Sequence, residues 1–132
     1  MGIKVLWGEH MTKEEYIAKY IDSFSKLCKK PEDYTRCKVK SHNRAMRELI
    51  ALEDELSQDV ELTEEVFSAL LENEDSYIQQ NIAGRCLSLN LHIKKSVEIL
   101  ERTSENGDRM SAMGAERTLK IWRGELKPDA PF

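Results

Sequence analysis

The run Glu72-Asn73-Glu74-Asp75-Ser76-Tyr77-Ile78-Gln79-Gln80-Asn81-Ile82-Ala83-Gly84-Arg85-Cys86-Leu87-Ser88-Leu89-Asn90 decides how this chain folds. Its first five residues have the polar, short-side-chain composition of a turn, and the turn ends on residues able to cap a helix. Ile78, Ile82, Ala83, Cys86, Leu87 and Leu89 then recur with the spacing of one helix face. Asn90 tolerates the left-handed conformation in which helices commonly end. Turn, cap, apolar face and stop follow one another in a single short segment.

Neighbouring segments repeat that order. On the N-terminal side Val66, Phe67, Leu70 and Leu71 face a core, and Leu62 and Phe67 have the spacing of a hydrophobic staple around an N-cap at Thr63. On the C-terminal side a second hairpin begins near His92. Ile93, Val97 and Leu100 form one stripe, which Asn106-Gly107 ends. Met110, Met113, Ala115, Leu119 and Trp122 form the last helix, and Gly124 stops it. At helical spacing the methionines and Trp122 are read as core; an exposed Trp122 would instead mark an oligomer or partner surface. Two helix–turn–helix units of about 30 residues in tandem predict an all-α fold of HEAT-like helical hairpins, an α-α superhelix.

Nearer the N-terminus, Thr12 and Glu15 make a capping box. Ile17, Ile21, Phe24 and Cys28 follow as the apolar stripe, widened by Tyr20 and Leu27, and Pro31 ends the helix. A second helix is expected from Glu32-Asp33, with Cys37, Ala45, Met46, Leu49, Ile50, Leu52 and Leu56 as its apolar positions. Ser57 to Glu61 reads as a polar connector. These two helices would supply the cap that two repeats lack, giving five to six helices in one domain over residues 11–126. Residues 1–10 are expected to be a flexible extension and 127–132 an irregular tail. Trp7-Gly8-Glu9 requires the codons TGG-GGN-GAR, which resemble a ribosome-binding site, so translation is expected to start at Met11.

Composition excludes several classes. With 132 residues there is room for one domain, and 40% hydrophobic against 33% charged residues fits a folded protein rather than a disordered one. Six glycines and three prolines favour long helices over many short strands. A net charge of −4 is the reverse of the overall basic balance normal in a nucleic-acid binder, no apolar run is long enough to span a membrane, and the N-terminus lacks the pattern of a secretory signal. Three cysteines without tight spacing, Cys28, Cys37 and Cys86, fit reduced thiols and a cytoplasmic location rather than a disulfide framework.

Asp75-Ser-Tyr-Ile78-Gln79-Gln-Asn-Ile82-Ala83 resembles the HEAT-repeat pattern in which an Asp turn precedes Val-Arg and a small-residue pair. The order of parts also resembles a small bacterial family, the domain of unknown function two-thousand-nineteen. That order runs from a Lys/Glu-rich first helix through a long second helix and the quoted turn to the Leu100-Glu101 helix. The closing Ala115-Glu-Arg-Thr-Leu119-Lys-Ile-Trp122 helix completes it, and the likeness covers roughly Lys13 to Leu126. It implies a helical-repeat fold and carries no activity with it. Gln79 stands where the repeat usually has Arg, so an Asp–Arg ladder between repeats is not expected.

Reactive side chains do not converge. Cys28, Cys37 and His42 are the one metal-ligand grouping, and no second close pair completes it. His10, His42 and His92 could each act as a base, but none has a nucleophile signature near it and no Gly-rich loop offers an anion site. The expectation is a protein that is not an enzyme and needs no cofactor or metal.

Charge is strongly segregated. Between Lys26 and Arg47 lie eight basic residues against Glu32 and Asp33, whereas Glu48 to Gly84 holds eleven acids and no Lys or Arg. Two readings of this stand side by side. The acids are a solvated face that keeps the protein soluble, or they steer a basic partner protein onto a surface made of Glu61, Glu64, Glu65, Glu72, Glu74 and Asp75. The second reading predicts a protein-binding module, in its sharper form an immunity- or antitoxin-like inhibitor of a basic toxin, with a homodimer as a further candidate assembly. One alternative is a small enzyme or ligand carrier with a pocket in the solenoid curve, built from His92, Arg85, Asn81 and Glu116. Another is nucleic-acid binding through the basic 26–47 block.

Overall fold

The computed structural model of the chain describes residues 11–29 and 31–127, the side chains of Pro31 and Cys37 excepted. Among the described residues there are six α-helices and no strand: α1 (Lys13–Ser25), α2 (Arg36–Leu56), α3 (Val60–Leu71), α4 (Ser76–Leu89), α5 (Ile93–Asn106) and α6 (Arg109–Trp122). The all-α fold of helical hairpins is as expected. The extension expected at residues 1–10, the start at Met11 that it implies, His10, and all of the expected tail beyond Lys127 lie outside the described residues. So does the side chain of Cys37. None of the described helices is long and apolar enough to cross a membrane.

The chain forms two compact units, one ending at Val66 and the other beginning at Phe67. In the first, α1 packs on α2. The capping box at the head of α1 forms as read: Glu15 N–H donates to Thr12 Oγ1 at 3.1 Å, and Thr12 N–H to Glu15 Oε1 at 2.8 Å. The buried face differs from the expected stripe. It is Tyr16, Tyr20, Ser23, Phe24, Leu27 and Cys28, while Ile21 is exposed and Ile17 only partly covered. The stripe through Ile17 and Ile21 lies one step round the helix from the side that α2 covers.

α1 also stops before Pro31, at Ser25. Lys26 and Leu27 donate to Ser23 and Phe24, the tighter three-residue bonding of a closing turn, and Cys28 N–H donates to His42 Nδ1 on α2 at 2.9 Å. The expected start of the second helix at Glu32-Asp33 is likewise corrected. Pro31–Asp33 is a single 3₁₀ turn, and α2 begins at Arg36 because Thr35 Oγ1 accepts from Lys38 N–H at 3.3 Å. Asp33 instead accepts from Lys29 N–H at 3.1 Å and pairs with Lys38 at 3.6 Å. On α2 the core positions are Ala45, Leu52 and Leu56; Met46 and Ile50, expected inside, are exposed.

The expected N-cap at Thr63 is one turn too late. Asp59 Oδ1 accepts from Leu62 N–H at 3.1 Å, so α3 starts at Val60. Thr63 is buried inside the helix, its hydroxyl donating to the carbonyls of Leu56 at 2.7 Å and Asp59 at 2.8 Å.

In the second unit α4, α5 and α6 pack against one another. Phe67, Leu70, Ile82, Cys86, Leu100 and Ala115 are fully enclosed. Asp75 caps α4 through Tyr77 N–H at 2.9 Å, and Asn90 ends it at φ 61° with Leu91 N–H returning to Cys86 O at 2.8 Å. Gly107 separates α5 from α6 because a Cβ there would stand 2.7 Å from Thr103 O. Gly124, at φ 79°, closes α6 as Glu125 N–H donates to Lys120 O at 2.8 Å. Gln79 Nε2 donates to Leu71 O at 2.9 Å and ties the end of α3 to α4. The Met/Trp stripe read as core is overturned: Met110 is 65% exposed, Trp122 42%, and Met113 is exposed beside them. Ala115 and Leu119 alone carry the buried face of α6.

Candidate functional site

The six acids singled out by charge divide by their local roles. Glu61, Glu64 and Glu65 on α3 sit three and four residues apart, so they share one face, and all three are exposed. The N-cap at Asp59 starts that helix early enough to bring Glu61 onto the face. In the second unit Glu72 is exposed and pairs with Lys95 Nζ at 3.3 Å. Glu74 is exposed, and Asp75 is committed to capping α4. The α3 trio is therefore an acidic face set by helix geometry, while Glu72 pairs with Lys95 and Asp75 caps α4.

Of the four residues proposed for a pocket, two come together. A groove of about 600 Å³ runs between α4 and α6, with Asn81 and Arg85 on its α4 wall and Thr118, Ile121 and Trp122 on its α6 wall. His92 and Glu116 are not among the residues that line it. Gln80 bridges the two helices, donating from Nε2 to Ser111 O at 3.0 Å. Two glycines, Gly84 and Gly114, also line the groove. The signal for them was in the sequence: a glycine inside a helical pattern costs stability, so its presence calls for a packing or functional reason.

Of the Cys28–Cys37–His42 grouping, the described side chains Cys28 and His42 make contacts that hold the end of α1 to α2. His42 Nδ1 is an acceptor for the Cys28 backbone N–H, which puts the ring proton of the neutral imidazole on Nε2. The buried Cys28 thiol points to the carbonyl oxygens of Asp33 at 3.4 Å and Lys38 at 3.7 Å. Tyr34 lies against His42 with ring centroids 6.2 Å apart. A second, smaller cavity of about 330 Å³ adjoins these residues, with Lys26, Lys29 and Lys38 on its walls. Lys26 is paired with Asp22 at 3.0 Å and Lys38 with Asp33, which offsets much of its positive charge.

No family model matches this sequence, and no curated protein or solved structure is significantly similar to it.

Proposed function

We propose that this chain is a non-enzymatic helical-repeat protein that binds another, basic protein, with the exposed face of α3 as the centre of the contact. The observation that carries the reading is the placement of Glu61, Glu64 and Glu65 on one exposed helix face, within a stretch from Glu48 to Gly84 that contains no Lys or Arg. Carboxylates concentrated without interleaved cations build a coherent negative potential, which raises encounter rates with a cationic partner by roughly 10- to 1000-fold. The resemblance to the helical-repeat family of unknown function agrees with this, because stacked helical hairpins work through their surfaces.

In its sharper form the protein is an immunity- or antitoxin-like inhibitor of a cationic toxin. The setting proposed for it is the cytoplasm, where free thiols such as Cys28 and Cys86 persist. The test is a capture experiment from the native host with the wild-type chain and the triple variant Glu61→Lys/Glu64→Lys/Glu65→Lys. A basic protein retained by the wild type and lost from the variant supports the reading. Equal retention by both, or no basic partner at low salt, sinks it. A second variant, Glu72→Lys/Glu74→Lys, reads whether the turn after α3 adds to the contact.

A further inference from the structure

We propose that the outer face of α2 binds the same face of a second copy of this chain, the two helices running antiparallel about a two-fold axis between Ile50 and Ala51. The buried side of α2 is Ala45, Leu52 and Leu56. On the opposite side Arg36, Lys40, Asn43, Arg47, Ile50 and Asp54 follow at alternating intervals of four and three residues, and all six are exposed. That is the spacing with which a helix offers a seam to a partner helix. It runs along nearly all of a 21-residue helix about 30 Å long.

The groups along this seam are self-complementary. Ile50 is 59% exposed and Met46, one turn before it, 41%, while the exposed Ala51 is small enough to let a second helix approach closely. Arg47 and Asp54 stand two turns apart, about 10 Å, on either side of this centre. Neither forms an ion pair among the described residues. Arg47 lies as far before the axis as Asp54 lies beyond it. Each Arg47 therefore falls opposite the other copy's Asp54, and each Ile50 opposite the other copy's Ala51, the isologous contact of a two-fold dimer. A parallel pairing would set Arg36, Lys40 and Arg47 against their own copies, so the charges select the antiparallel one. One helix on one helix is a small contact, and the dimer is expected to be weak, with a Kd on the order of 10 µM. The face lies within the first compact unit and does not use the acidic face of α3.

The test is sedimentation equilibrium of the full chain from about 1 µM to about 1 mM, a range that brackets the expected Kd. The wild type is expected to pass from monomer to dimer across it. Arg47→Asp and Asp54→Arg each turn two symmetry-related attractions into repulsions, and each should raise the Kd about tenfold or more. The double variant Arg47→Asp/Asp54→Arg exchanges the partners and should bring the Kd back to near the wild-type value. Both positions are exposed, and rescue by the second change separates a broken contact from a folding defect. Ile50→Lys should leave a monomer. A wild type that stays monomeric at every concentration, a dimer indifferent to the single charge reversals, or a double variant that associates no better than the singles would overturn the proposal.

Discussion

At Tyr16, burial and a neighbouring carboxylate act on the same proton. The side chain is 2% exposed and its hydroxyl donates to Glu55 Oε1 at 2.9 Å. Desolvation, reinforced by Glu55 and Asp59, pushes the phenol from its ordinary 10 up to about 12. A pKa raised by folding stabilises the fold fully below the unfolded value and loses that contribution as pH climbs through the folded one. The window therefore runs from pH 10 to about 12, with a contribution of about 2–3 kcal/mol at stake. Tyr16→Phe is expected to cost about 1 kcal/mol at neutral pH and to flatten the alkaline fall of stability. Urea titrations at stepped pH read both, and an unchanged alkaline slope contradicts the account. Ser96 makes the opposite case. Its hydroxyl is fully buried on α5 with no hydrogen-bond partner among the described residues. Ser96→Ala removes a desolvated polar group at little cost in volume, so it should be neutral or stabilise by up to about 1–2 kcal/mol. Destabilisation in the same assay would show that the hydroxyl is satisfied.

At the scale of the element, short-range hydrogen bonds set where helices begin and end. Thr12, Thr35, Asp59, Asp75 and Asp108 each accept a backbone N–H from the first turn they precede. Ser111 N–H and the hydroxyl beside it hold the Asp108 carboxyl below its usual range. Asp75→Ala should cost about 1 kcal/mol and Asp75→Asn much less, because asparagine caps nearly as well. Thermal unfolding of the pair checks this, and equal losses would mean that charge rather than the cap matters. The cap at Thr12, a cap closing the Glu72 to Ser76 turn, and the stops at Asn90, Gly107 and Gly124 were legible in the sequence, since donor and acceptor lie within a few residues of each other; that Asp75 is the capping residue came from the structure. Asp59 was missed because Thr63 offered a competing cap with a good staple. Its hydroxyl turned instead to the carbonyls of Leu56 and Asp59.

At the scale of the whole chain, the proposed partner contact rests on separated charge and should weaken steeply with salt. Between about 0.01 M and about 0.15 M salt the Debye length falls from about 30 to about 8 Å. Capture of a basic partner is expected to drop at least about tenfold over that range, mostly through the association rate. Salt-independent capture measured by surface binding kinetics would point to an apolar contact instead, with Met46 and Ile50 or the exposed face of α6 as its seat. By itself, the sequence determined that this chain is helical and how its helices are punctuated, because hydrophobic period and capping chemistry act within a turn or two. It also determined the acidic stretch, since charge is read directly. Only the tertiary structure decided which apolar side chains are core. Ile21, Met46, Ile50, Met110, Met113 and Trp122 all lie on plausible stripes, yet a stripe is buried only where another helix covers it. The groove was settled at the same level: Arg85 and Trp122 stand far apart along the chain, and packing of α4 on α6 puts them on facing walls.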